Sequence, residues 1–166
     1  MIVTKRFILL ALGIVLITPF LCGQSYRTVI TSSQGIRLVM NPLDQFSRAF
    51  GLRDEKIEEA AHKGITGSGF RINQSSDLVI SISVIPLPQR DEDLFPFRIE
   101  VHGGTALEKA AGKEYSPDII GDIPAVKNIT VPWNDEDKIL STTQQLANKV
   151  ATELRKEIRR RQFNRR

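Results

Sequence analysis

The stretch NDEDKILSTTQQLANKVATELRKEI, residues 134–158, determines which architecture the rest of the chain can adopt. Its apolar residues recur at helical spacing and predict one long helix with a single buried stripe. The stripe consists of Ile139, Leu140, Thr143, Leu146, Ala147, Val150, Leu154 and Ile158. Asn134 or Asp135 is expected to cap the start of this helix. Because such a stripe must be covered, the preceding sequence should supply a sheet for it to lie on.

Strand-like segments precede this helix, with apolar and polar residues in alternation. They are 26–30, 36–40, 78–84, 97–101 and 126–131. Phe70–Ile72, followed by the polar residues 73–76, is expected to form a hairpin with the strand that starts at Leu78. Pro86 and Pro88 should end that strand, since proline lacks the amide that a ladder bond needs.

Two shorter helices are predicted between the first strands. Asn41 and Pro42 suit the cap and first position of a helix whose apolar face contains Leu43, Phe46, Ala49 and Phe50, with Gly51 at its end. A second helix is expected from Asp54 to Gly64. His62 would then lie near its end, and Gly64, Gly67 and Gly69 would form a turn.

The order of these elements does not alternate strictly between strand and helix. It predicts an α+β domain, with a small, mostly antiparallel or mixed sheet and with the helices, including the long C-terminal one, packed on one face. No repeat interrupts the pattern. We expect a single domain over residues 24–158, followed by a basic tail at 159–166.

The N-terminus has the layout of an export signal. Lys5 and Arg6 precede an uncharged apolar stretch over 7–22, and polar sequence starts at Gln24. This predicts a signal peptide over residues 1–23, cut after Gly23. Two other fates remain open, lipidation of Cys22 and retention of the stretch as an anchor. The protein is expected to be periplasmic or extracellular, either free or tethered to a membrane.

Charge is concentrated at the C-terminus. Residues 24–154 carry a net charge of −4, whereas 155–166 carry +6. Contact with an anionic surface is one interpretation, with five arginines as its candidates: Arg159, Arg160, Arg161, Arg165 and Arg166. The other is a solvated helix end, where cations complement the negative end of the helix dipole. An exported protein meets membrane or protein surfaces, so no nucleic-acid partner is expected.

Residues that could carry chemistry are few. The chain has two histidines, His62 and His102, and one cysteine inside the predicted signal, too few for a zinc site of histidine and cysteine. No Gly-X-Ser-X-Gly sequence occurs, and the glycines after residue 63 precede a predicted strand, whereas a phosphate loop precedes a helix. We therefore assign no catalytic residue, metal or cofactor.

Trp133 is the only tryptophan and stands where the last strand meets the long helix. At such a junction a tryptophan usually packs into the core. Its indole can also anchor a partner or a lipid interface. Both interpretations are kept, with core packing the favoured one.

The order of elements resembles that of small accessory proteins of the bacterial envelope. The resemblance covers about 36–160 and includes a helix ending near 60–65, a strand at 77–80, and Trp133 before a long C-terminal helix. The lipopolysaccharide-assembly lipoproteins and the N-terminal domain of the periplasmic Tol-system propeller protein are similar in this layout. It implies a role in binding or assembly. The residues before Cys22, 19–21, depart from a lipoprotein signal because they are not small.

The sequence therefore predicts an exported, non-enzymatic accessory protein of the cell envelope that engages a protein or a membrane surface. The alternative is a hydrolase or a small-ligand-binding protein with its site near the irregular 103–124 loop. The sequence leaves the partner's identity and the oligomeric state open.

Overall fold

The computed structural model describes residues 35–89, 93–106 and 120–164. In these ranges the chain forms a four-stranded mixed sheet and three helices, the predicted α+β class. The elements are β1 (Arg37–Met40), α1 (Gln45–Ala49), α2 (Asp54–Gly67), β2 (Leu78–Pro86), β3 (Leu94–Thr105), β4 (Ile123–Pro132) and α3 (Glu136–Phe163). The predicted leader, the segment 26–30 and residues 107–119 of the irregular loop lie outside the described residues.

The strands follow one another across the sheet in chain order. β2, β3 and β4 are antiparallel neighbours, while β1 pairs parallel with β2 at the edge. One face of the sheet supplies the core with alternate residues, which include Ile80, Ile82, Phe97, Ile99, Val101 and Val131. The predicted alternation over 97–101 is thus confirmed. β2 ends at Pro86, as the proline predicts.

The predicted hairpin between 70–72 and β2 is wrong, because β3 pairs with one edge of β2 and β1 with the other. The segment at Ile72 instead forms an isolated parallel bridge with Ile36. The Ile36 amide donates to the Arg71 carbonyl at 2.8 Å, and the Asn73 amide donates to the Ile36 carbonyl at 2.8 Å. The residues of β2 therefore find their ladder partners in β3, through nine residue pairs, and in β1, through four.

α1 starts three residues later than predicted. Its N-cap is Asp44, whose Oδ1 accepts a hydrogen bond from the Ser47 amide at 2.7 Å. The Asn41 side chain is occupied elsewhere, since its Nδ2 donates to Ser83 Oγ at 2.7 Å. Gly51 follows the helix with a φ of 105°, so the predicted glycine stop is confirmed.

α2 starts at Asp54 as predicted but continues past Gly64 to Gly67. Gly64 is the point where α3 comes closest: a Cβ built there would collide with the Gln144 carbonyl oxygen. Asn148 Nδ2 also donates to the Gly64 carbonyl at 3.0 Å. Gly64 therefore serves helix packing, and the predicted turn over Gly64 and Gly67 is wrong. His62 consequently lies within the helix and not at its end.

α3 contains 28 residues, and its stripe is buried as predicted, with Leu140 only partly so. Thr142 and Ala151 are also buried. The helix packs on α2, β3 and β4, which places it on the core face of the sheet. Its N-cap is Asp135, although that side chain makes no capping bond. Within the described ranges, no helix has the length and apolar character needed to cross a membrane.

Candidate functional site

The C-terminal end of α3 extends past the core. Ile158 is its last buried residue, at 3% exposure, and the helix continues to Phe163. Four exposed residues of this end share one side of the helix, because the last three follow the first by three, four and seven residues. They are Lys156, Arg159, Arg160 and Phe163, and we refer to them as the basic face. Arg165 and Arg166 lie outside the described residues.

Arg155 fixes this end of α3 to the loop that follows α2. Its Nη2 donates to the Gly69 carbonyl at 2.7 Å, and its guanidinium lies 5.3 Å from the centre of the Phe70 ring. Gly69 has a φ of 86°, a conformation that glycine adopts without strain. The helix end is thus held in place before the basic face begins.

Glu157 offsets part of the positive charge. Its carboxylate accepts hydrogen bonds from Arg161 Nε at 2.7 Å and from Arg160 Nη2 at 2.9 Å. The bond from Arg161, followed by that from Arg160, holds the pKa of Glu157 below its ordinary value. The carboxylate therefore stays ionised at neutral pH. Lys156 pairs with Glu153 at 2.7 Å, whereas Arg159 has no ion pair within the described structure.

The described chain begins at the same end of the domain. Gly35 lies against the Arg71 carbonyl, 2.7 Å from where its Cβ would be, and Ile36 is hydrogen bonded to the same carbonyl. Arg71 is only two residues from Gly69, which contacts Arg155. The point where the preceding sequence joins the domain is therefore close to the last turns of α3.

Trp133 lies at the other end of α3, which at about 1.5 Å per residue is roughly 40 Å long. Its ring contacts Phe95 and Phe50 edge to face, at centroid distances of 5.0 and 5.2 Å, and Phe46 at 6.4 Å. It nevertheless remains 48% exposed, and Phe46 remains 40% exposed. The favoured interpretation as a core residue holds only for the half of the indole that packs on these rings.

A cleft of about 320 Å³ lies beside this aromatic cluster. Its walls are mainly apolar, and the lining residues are Phe46, Pro86, Leu87, Pro88, Gln89, Phe95 and Pro96. This cleft could not be predicted from the sequence, because it requires α1, the end of β2 and the start of β3 to meet. The sequence hinted at it only through the prolines at the end of β2 and near the start of β3, which are Pro86, Pro88 and Pro96.

His102 lies on the polar face of β3, as the alternation predicts. Its Nδ1 is 2.9 Å from an Asp122 carboxylate oxygen, and its Nε2 is 3.9 Å from Glu100 Oε2. Ser81 stands opposite it on β2, but no hydrogen bond joins Ser81 to His102 in the described structure. Three acidic, histidine or cysteine side chains placed to hold a metal ion do not occur together in the ranges that the structure covers.

The two ends of the irregular loop are joined together. The Thr105 amide donates to the Ile120 carbonyl at 3.1 Å, and the Ile120 amide donates to Thr105 Oγ1 at 2.9 Å. Residues 107–119 thus leave and re-enter the sheet at neighbouring points. The pocket predicted beside this loop depends on those residues and stays a prediction.

No protein-family model matches the chain, and no curated protein is similar to it. Among solved structures, it is similar to a minor lipoprotein from Acinetobacter baumannii, with 11% identity and a TM-score of 0.37 over 77% of this chain and 94% of that one. A candidate lipoprotein from Caulobacter crescentus CB15 gives 12% identity and the same TM-score over 81% and 95%. Likeness this low assigns neither fold nor function.

Proposed function

We propose that the protein is a non-enzymatic accessory protein of the cell envelope, exported through its N-terminal signal, and that it engages an anionic partner through the basic face. The observation that supports this most is the end of α3 itself. Five residues continue as helix beyond the last core contact, and their exposed side presents Arg159 and Arg160.

The charge distribution favours an anionic partner over a neutral one. The body of the domain, residues 24–154, has a net charge of −4, so the basic face is the part of the chain that a negative surface would attract. Each basic residue near an anionic membrane contributes about 1 kcal/mol of binding. Glu157 cancels one of the charges and Glu153, paired with Lys156, another, while Arg155 is committed to Gly69; Arg159 makes no ion pair within the described structure.

Removing residues 159–166 tests the proposal without touching the core, because Arg155 and Ile158 are kept. The intact chain starting at Gln24 should bind dextran sulfate at low salt and be released at high salt. The chain ending at Ile158 should elute near the void volume while keeping its circular dichroism spectrum. Equal retention of both chains would exclude the basic face as the binding surface.

Export is tested separately by the intact mass of the native protein in soluble and membrane fractions. A soluble species beginning at Gln24 agrees with a cleaved signal. A membrane species with lipidated Cys22, or with Met1 retained, indicates a tethered domain. An uncut protein found only in the cytoplasm would contradict the envelope assignment.

One contact favours the alternative of a ligand or hydrolase site near the 103–124 loop. His102 is oriented by Asp122, and an imidazole held by a carboxylate can act as a general base. If this pair works on a bound molecule, His102→Gln should abolish turnover of short acyl esters. Absence of any turnover by the unaltered chain would remove this candidate.

A further inference from the structure

Phe163 is the most exposed large apolar side chain of the described residues, at 82%. It belongs to the basic face, where it follows Arg159 by four residues and Arg160 by three. Helical spacing therefore places the phenyl ring between two cations on the same side of α3. Basic residues attract anionic headgroups, and an exposed apolar ring beside them gains free energy when it leaves water.

Resting on the function proposed above, we infer that the anionic partner is a lipid bilayer and that Phe163 inserts at its headgroup boundary. Lys156, Arg159 and Arg160 would then contact the phosphates around it. The five residues beyond Ile158 extend α3 by about 7 to 8 Å. Phe163 therefore lies more than one turn past the last buried residue of α3, where a flat surface can meet it.

The start of the described domain lies near the end of α3 that would face the bilayer. Gly35, where the described domain begins, is at the same end as Arg155 and the last turns of α3. A chain held at Cys22, 13 residues before Gly35, would have a linker long enough for the basic face to reach the same bilayer. A chain cut after Gly23 would reach the same orientation through the basic face alone. In both cases Trp133 points away from the bilayer.

Trp133 provides an internal optical control, because it is the only tryptophan and lies at the far end of α3. A second chain carries Trp133→Phe together with Phe163→Trp, so that its one indole reports on the basic face. Both are mixed with vesicles of phosphatidylglycerol and phosphatidylcholine, with pure phosphatidylcholine vesicles, and with dextran sulfate. Circular dichroism checks that both chains are folded.

Insertion predicts a blue shift of emission for the indole at position 163 on anionic vesicles alone, with unchanged emission from Trp133 in the unaltered chain. Phe163→Ala should weaken binding to the same vesicles about tenfold and leave retention on dextran sulfate unchanged. Val126→Ala is the matched control, since Val126 is 52% exposed on the sheet. This substitution should change neither vesicle binding nor retention on dextran sulfate.

Other outcomes overturn the inference in distinguishable ways. Vesicle binding without a shift at position 163 would mean that the ring stays in water, and the proposed anionic partner would survive. Binding to dextran sulfate but not to vesicles would exclude the bilayer and leave a protein or other polyanion as the partner. Binding to neither would contradict the inference and the proposed function together.

Discussion

The guanidinium of Arg155 donates a hydrogen bond to the backbone carbonyl of Gly69, at 2.7 Å, across 86 residues of sequence. The same group lies over the ring of Phe70. These two contacts fix the end of α3 to the segment that follows α2, and so set the direction in which the basic face points.

Arg155→Ala should lower the free energy of unfolding by about 1 to 2 kcal/mol. It removes one charge-assisted hydrogen bond and one cation–π contact, both at a partly exposed site. Arg155→Lys keeps the charge but not the planar fork, and should recover only part of the loss. Urea unfolding measures both variants. Identical midpoints for all three chains would show that the contact contributes nothing to stability.

Gly64 and Gly67 give a matched pair within α2. Gly64→Ala should destabilise the domain by about 2 to 3 kcal/mol, because the new methyl group would collide with the Gln144 carbonyl and push the two helices apart. At Gly67 the nearest atom to a built Cβ is Asn148 Nδ2, at 3.4 Å, which is ordinary contact.

Gly67→Ala should therefore be neutral or stabilise by up to about 1 kcal/mol, since alanine forms helix more readily than glycine. Thermal unfolding of the two variants side by side measures the difference. If both glycines tolerate alanine equally, α2 and α3 are not packed as closely as the structure has them.

The difference between local and long-range information explains which sequence predictions succeeded. The stripe of α3 follows from spacing within one segment, and seven of its eight predicted residues are buried. The hairpin prediction failed because the edge of β2 that residues 70–72 would need is occupied by β1, a strand that lies far earlier in the chain. Gly64 was assigned to a turn because nothing local shows that another helix approaches it. Likewise, the contact between His102 and Asp122 requires the fold.

The candidate site divides in the same way. The cluster of arginines in the tail can be read directly from the sequence, and its role in binding stays a prediction. Their position beside Gly69 and Gly35 could not be predicted, because it depends on how α3 crosses the sheet. The exposure of Phe163 follows only from knowing that Ile158 is the last residue of α3 to reach the core.

Trp133 should contribute to stability but not to anionic binding. Trp133→Ala removes ring contacts with Phe50 and Phe95 and should cost about 1 to 2 kcal/mol, less than a fully buried tryptophan because half of the side chain is exposed. Trp133→Phe should lower the free energy of unfolding by less, because a phenyl ring keeps part of these contacts. Both variants should be retained on dextran sulfate as strongly as the unaltered chain. A loss of retention would place the binding surface at the N-terminal end of α3, beside Trp133, and not at the basic face.

Glu157→Gln should strengthen binding to dextran sulfate about fivefold at neutral pH, because it removes a carboxylate that pairs with Arg160 and Arg161. Its lowered pKa fixes the sign of the pH dependence. The carboxylate, and the helix stabilisation it gives, are present above its ordinary pKa and are lost as the pH falls through the lowered one. The difference between the two chains should therefore vanish in acid. If the two chains still bind dextran sulfate differently in acid, the charge of Glu157 is not the cause of the difference.

The most direct measurement compares two double variants of equal charge in sedimentation with phosphatidylglycerol-containing vesicles at low salt. Arg159→Gln with Arg160→Gln removes two charges from the basic face. Lys127→Gln with Lys149→Gln removes two exposed charges elsewhere, one of them on α3 itself. At about 1 kcal/mol per charge, the first pair should weaken binding roughly thirtyfold. The second should change it less than threefold, and equal losses from both would contradict a docking surface at the end of α3.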